Sequence, residues 1–168
     1  MDFNIREIRT SDLDDLVKYA NNANIADNLT DRFPYPYSRK DGEEFIEMVQ
    51  NNTTDRIFAI TTNDHLIGTI GLHPQSGLYI KNVELGYWVA EPFWGKGIAT
   101  GAVRKILEYA FENLDVDRVF AKAFGSNIGS QKVLTKNGFR LEACFPKTLF
   151  KDGEYYDDMV FGFRREQL

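Results

Sequence analysis

The most constraining feature of this chain is a change of backbone pattern within about thirty residues. Val83-Glu-Leu-Gly-Tyr-Trp-Val-Ala90 reads as a strand, Glu91-Pro92 ends it, and Trp94-Gly95-Lys96-Gly97 follows. From Ile98 to about Leu114, Ile98, Ala102, Ile106, Tyr109 and Ala110 fall on one side of a helix. A strand that passes through a glycine turn into a helix N-terminus suits an anion. Successive N–H groups point outward there, glycine permits close approach, and Lys96 adds a point charge.

The spacing discriminates among phosphate ligands. A nucleotide P-loop needs its lysine after the second glycine and followed by Ser or Thr; here Lys96 lies between the glycines and precedes Gly97. A dinucleotide fingerprint needs a third glycine straight after the first strand of a βαβ unit. Thr100 occupies that third position, and four residues separate Ala90 from Gly95. The first reading fails and the second is poor.

The remaining pattern supplies strands at Phe3–Arg9, Arg56–Thr62, Leu66–Leu72, Val119–Phe124, Phe139–Phe145 and Tyr156–Arg164. Helices are expected after Thr10-Ser11-Asp12, after the cap Ser38, and over Asn127–Asn137 with Gly138 as its stop. Asn63-Asp64 and Lys151-Asp-Gly153 read as turns, and Phe33-Pro-Tyr-Pro-Tyr37 as a non-helical loop. The resulting order, β-α-α-β-β-β-α-β-α-β-β, is α+β or mixed α/β: helices on a mainly antiparallel sheet. With 168 residues, a single domain over 1–168 is expected, burying about two thirds of its unfolded surface.

A net charge of −5 argues against a nucleic-acid partner. No apolar run reaches the roughly 20 residues of a membrane span, so no membrane partner is expected. The N-terminus has no signal-peptide organisation. The single cysteine, Cys144 in the apolar run Leu-Glu-Ala-Cys-Phe, reads as a buried inert side chain, and a cytoplasmic location follows as the default. The two histidines, His65 and His73, are isolated and read as surface residues; no metal-ligand spacing exists.

Trp94-Gly95-Lys96-Gly97-Ile98-Ala99 resembles the acyl-CoA loop of the GNAT superfamily of N-acetyltransferases, Gln/Arg-x-x-Gly-x-Gly/Ala. Tryptophan replaces the first polar residue, a form familiar in the branch of ribosomal-protein N-terminal acetyltransferases (RimJ/RimL-type). Asn127-Ile-Gly-Ser130 through Gly138-Phe139 resembles the second family motif, about thirty residues downstream. The resemblance implies the GNAT acyl-CoA N-acyltransferase fold with about seven strands, and acetyl-CoA as co-substrate without a metal. It also implies that the strand ending at Val89 splays from its neighbour to admit pantetheine.

On that resemblance, Trp88 and Val89 meet the pantetheine arm, and Trp94, Gly95, Lys96, Gly97, Ile98, Ala99 and Thr100 hold the pyrophosphate. Asn127 bonds the arm or simply caps its helix, and Ser130 protonates the leaving sulfur. Glu84, an acidic residue in an apolar strand, is the first choice of base, with Tyr87 and then Tyr156 as fallbacks; a solvated strand-end carboxylate is the alternative. Phe33, Tyr35 and Tyr37, with Glu84, line the acceptor slot, or the loop simply packs. Gly101 stands where relatives often carry an acidic residue. The expected acceptor is a protein N-terminal α-amine. A small amine (polyamine, aminoglycoside or amino-acid derivative) and a non-catalytic CoA-binding sensor are the alternatives. The expected assembly is a monomer or homodimer.

Overall fold

The computed structural model describes all residues, Met1–Leu168. Seven strands form one sheet: β1 (Asn4–Glu7), β2 (Arg56–Thr62), β3 (His65–Pro74), β4 (Asn82–Val89), β5 (Arg118–Phe124), β6 (Arg140–Lys151) and β7 (Glu154–Arg164). The helices are α1 (Leu13–Ala20), α2 (Ala23–Ala26), α3 (Arg39–Asn51), α4 (Ile98–Asn113) and α5 (Ile128–Lys136). Strand order is β1-β2-β3-β4-β5-β7-β6. β4 and β5 run parallel, as strands joined through a crossover helix must, whereas β1–β2, β5–β7 and β6–β7 are antiparallel. The α+β architecture expected from the pattern is present. The short α2, inside an asparagine-rich stretch, is an element the pattern does not announce. No helix is long and apolar enough to cross a membrane.

Packing divides the chain into two compact units, Met1–Gly71 with Tyr87–Ala102, and Leu72–Gly86 with Val103–Leu168. In the first, Leu16, Ala20, Ile25, Tyr37, Ile46, Ala59, Leu66, Trp88 and Ala90 are buried together, with Phe33 and Phe93 packed against them. Ser38 starts α3 through a capping box: its Oγ accepts from the Asp41 N–H at 3.2 Å, and the Asp41 carboxylate accepts from the Ser38 N–H at 2.7 Å. Asn63 and Asp64 close the β2–β3 hairpin with φ of 48° and 65°, a conformation these two residue types tolerate best after glycine.

Beside that hairpin, Asp12 is buried and takes both Arg6 guanidinium nitrogens at 2.8 Å and the Arg9 N–H at 2.8 Å. Burial alone would raise the Asp12 carboxyl, but these hydrogen bonds and the two positive charges outweigh it and hold the carboxyl below the usual range. An unfolded aspartate titrates near 3.9. The stabilisation is therefore complete above about pH 4 and is lost as pH falls through the lower native value. Asp12→Asn is expected to cost about 2 kcal/mol at pH 7, since Arg6 loses its buried charged partner and keeps only the exposed Asp64. Urea melts from pH 7 to pH 2 check this: the gap between wild type and variant should close only on the acid side.

The second unit is built on β5, which pairs with β7 along all seven of its residues, Arg118–Phe124 against Arg164–Asp158. Its pairing with β4 is short: Asn82, Val83 and Glu84 face Arg118, Val119 and Phe120. The β6–β7 hairpin turns through Asp152 and Gly153 at φ of 51° and 83°. Its register shifts twice, between Leu141 and Ala143 and between Phe145 and Leu149. Arg118 bonds the Glu142 carboxylate and, at 2.9 Å, Asn82 Oδ1. Gly162 makes room for that carboxylate, which a Cβ there would overlap. Arg165 closes the C-terminal end of α4 by donating to the carbonyls of Phe111, Leu114 and Val116.

Cys144 corrects an expectation: it is exposed. β6 is the last strand of the sheet, pairs only with β7, and has no buried residue. The apolar run around Cys144 therefore does not mark a core strand. His65 is exposed and its Nδ1 lies 3.0 Å from the Asp15 carboxylate.

Candidate active site

The glycine turn is assembled wholly within the first unit. β4 ends where the Ala90 N–H bonds the Ile67 carbonyl at 2.7 Å. Glu91-Pro92-Phe93 then forms one 3-10 turn, and Trp94 returns its indole N–H to the Val89 carbonyl at 2.6 Å. Gly95 and Gly97 have φ of 72° and 77°, and a Cβ at either would meet nothing within 4 Å. Both glycines are thus needed for their backbone conformation, and the space above them is open. The first i→i−4 bond of α4 is made by Gly101 to Gly97 at 2.9 Å. Helix geometry leaves the N–H groups of Ile98 and Ala99 without intrahelical acceptors at the positive end of a 16-residue helix. A glycine turn at the positive end of a helix favours an anion.

Lys96 does not reach over the open face in this structure. Its Nζ bonds the Pro92 carbonyl at 2.8 Å and stands 5.3 Å from the Phe93 ring centre, so it braces the turn from behind. Ile98 is fully buried, so it contributes backbone only. Trp88 likewise sends its side chain into the core, 5.9 Å from Phe33. Its carbonyl lies so close over Gly68 of β3 that a Cβ on Gly68 would overlap the oxygen. Gly68 was legible in the sequence only as a glycine inside a strand, a sign of close backbone approach with no partner named.

In the second unit, Asn127 caps α5: its Oδ1 accepts from the Ser130 N–H at 3.0 Å. That bond fixes the first turn of α5 and with it the half-buried Ser130. Gln131, which the motif does not emphasise, donates to the carbonyls of Phe124 and Gly125 at 3.2 and 2.9 Å and ties α5 to the end of β5. Gly125 in turn donates to Asp157 of β7 at 2.9 Å, and the Asp157 carboxylate accepts from the Lys147 N–H at 2.9 Å. Glu84 is half-buried between Val83 and Leu85, both buried, and opposite Phe120 in the ladder. Tyr87 is half-buried on the same strand, and Tyr156 packs 5.3 Å from Phe124.

The 33–37 loop divides. Tyr37 is buried, 5.3 Å from Phe33, and its hydroxyl is pushed up to about 12 by burial and then by Asp41. Phe33 packs on the core, whereas Tyr35 is exposed ahead of a cis Tyr35–Pro36 bond. Of the three aromatic residues, Tyr35 alone presents its ring to solvent. No group of three or more His, Cys, Asp or Glu side chains is arranged to hold a metal.

The acetyltransferase (GNAT) domain model matches residues 2–140. The uncharacterized N-acetyltransferase YnaD of Bacillus subtilis (strain 168) is 27% identical over 165 residues, 97% of this chain and 94% of its own length. The ribosomal-protein-serine acetyltransferase of Escherichia coli (strain K12) is 31% identical over 102 residues, 61% of this chain and 56% of that protein. In fold, Mycobacterium smegmatis RimJ in complex with CoA-disulfide superposes with a TM-score of 0.85 at 21% identity, covering 99% of this chain and 83% of RimJ. The matched span runs from before β1 to the first residue of β6 and takes in both motifs. The chain belongs to the GNAT family, whose members are N-acetyltransferases using acetyl-CoA.

Proposed function

We propose that the protein transfers acetyl from acetyl-CoA to the N-terminal α-amine of a protein, by direct attack in a ternary complex. The observation that carries the donor side is the left-handed pair Gly95 and Gly97, open above and opening a long helix. For the acceptor, support comes from the likeness to the ribosomal-protein-serine acetyltransferase and from the tryptophan that begins the loop.

The chemistry assigns roles to this chain's own groups. The amine nitrogen bonds the thioester carbon and loses a proton; the carbon–sulfur bond breaks, and the thiolate leaves with a proton. Glu84 receives the amine proton, directly or through water, with Tyr87 as the second candidate. Ser130 supplies a proton to the sulfur, and the developing oxyanion takes a backbone N–H of the Trp88–Val89 segment. The Val89 carbonyl keeps one lone pair beyond its bond to Trp94, enough for a pantetheine amide. Asn127 both caps α5 and turns its Nδ2 to the arm. On the acceptor side the candidates are Tyr35 and Phe33, which Tyr37 supports from the core, and, on its own strand, Glu84.

Thermal shift with acetyl-CoA, CoA and NAD tests the donor side, with acetyl-CoA expected to stabilise and NAD not. A thiol-release assay across peptides with free N-termini, polyamines, aminoglycosides and amino acids tests the acceptor. Turnover of peptides above all others supports the proposal. Preference for a small amine replaces the acceptor class, and CoA binding with no turnover of any amine favours a sensor.

A further inference from the structure

We infer that Glu91 is a positioning residue of the donor turn, holding Pro92–Gly97 in the geometry that aims the α4 amides at pyrophosphate, and that it acts through Asn22 and Asn24. The inference rests on the acetyl-CoA reading of that turn. Glu91 Oε2 accepts from Asn22 Nδ2 at 2.7 Å, and both carboxylate oxygens accept from Asn24 Nδ2, at 3.0 and 3.1 Å. These bonds span about seventy residues of sequence and tie the turn to the start of α2.

Asn22 cannot swap its amide ends freely. Its Oδ1 caps α2 by accepting from the Ile25 N–H at 3.2 Å, so its Nδ2 is committed to donate toward Glu91. The grip is local and directional. The Glu91 carbonyl accepts from the Trp94 N–H at 3.0 Å, so the residue that Asn22 and Asn24 hold also closes the 3-10 turn preceding Gly95. Packing reinforces it, with the Tyr19 ring edge-on to Phe93 at 5.8 Å. The neighbouring Asn21 accepts from the Tyr37 N–H at 3.0 Å, so residues 21–24 hold both the donor turn and the end of the 33–37 loop.

A carboxylate next to an anion-binding turn opposes its ligand by charge, so geometry and charge predict different outcomes. If Glu91 positions the turn, Glu91→Ala raises KM for acetyl-CoA about tenfold, the equivalent of about 1.4 kcal/mol of lost pre-organisation, with kcat within about twofold. Glu91→Gln keeps the length and one carbonyl acceptor for Asn22 and restores KM to within about twofold of wild type. Acetylpantetheine, which lacks the pyrophosphate, serves wild type and Glu91→Ala equally. Asn24→Ala, at an exposed position, is the second variant should Glu91→Ala not fold, with a KM effect in the same direction.

Unchanged or lowered KM in Glu91→Ala overturns the inference and leaves Glu91 a like charge. Equal losses with acetyl-CoA and acetylpantetheine also overturn it, since the effect is then not on the phosphate turn. Calorimetric affinities for CoA and pantetheine give the same ratio without turnover. Failure of Glu91 to matter is therefore distinguishable from failure of the acetyltransfer reading, which shows as a wild type that binds CoA and acetylates nothing.

Discussion

Gly68→Ala is expected to lower stability by about 3 kcal/mol, at the upper end of overpacking costs, because neither clashing partner is a side chain that can rotate away. The added Cβ overlaps the Trp88 carbonyl oxygen and stands 3.0 Å from Val89 Cα. Relief requires β3 and β4 to part, and the adjacent Ala90 N–H to Ile67 carbonyl bond, 2.7 Å long, is the first to go. The displaced segment is the one assigned to the pantetheine arm and the oxyanion. Protein that still folds should therefore also bind acetyl-CoA more weakly. Gly77→Ala is the control: φ is 61° there, but a Cβ meets nothing within 4 Å, so only the left-handed penalty of about 1–2 kcal/mol applies. Urea melts of the two variants decide the matter. A Gly68→Ala protein as stable as Gly77→Ala would mean the close approach imposes no constraint.

The second large effect is on catalysis. Glu84→Gln is expected to reduce kcat by about a hundredfold to a thousandfold at saturating acetyl-CoA, the range that removing a general base costs. The carboxylate stands half-buried between Val83 and Leu85, at the last paired residue of the β4–β5 ladder. Glutamine is nearly isosteric, so packing is kept and the proton acceptor is lost. Thermal stabilisation by acetyl-CoA should be unchanged. Ser130→Ala should have a smaller effect, about tenfold, because a thiolate leaves without full protonation at neutral pH more readily than an amine attacks while protonated. The Asn127 cap survives that change, since it uses the residue 130 backbone N–H. If both variants turn over like wild type, the assigned base and acid are wrong, although the fold and donor turn stand. Glu84→Gln with weakened CoA binding would instead place the carboxylate in donor binding.

Most of the glycine turn is legible in the sequence. The glycine turn itself, the proline-assisted stop at Glu91-Pro92 and the start of α4 depend on residues adjacent in the chain, whereas the left-handed φ of Gly95 and Gly97 came only with the structure. The same holds for the Ser38 capping box and the Asn127 cap, whose partners lie three residues away. The 33–37 loop was only half legible: proline excluded helix, but nothing local says that Tyr37 faces the core while Tyr35 faces water. The final hairpin was harder. β6 extends to Lys151, well beyond the expected Phe145, because the register shift after Phe145 lets pairing with β7 resume at Leu149.

By itself, then, the sequence determined the strand–turn–helix proposed to receive the donor, the second motif helix and its cap, and the α+β class. Each follows from backbone conformations and hydrogen bonds that reach only a few residues along the chain. Only the tertiary structure decided that Gly68 lies under the Trp88 carbonyl, that Asn22 and Asn24 grip Glu91, that Lys96 folds back onto Pro92, and that Cys144 lies exposed on the last strand of the sheet. Those relations depend on which strands become neighbours and which face each presents. Strand order is a property of the closed sheet, and no local pattern carries it.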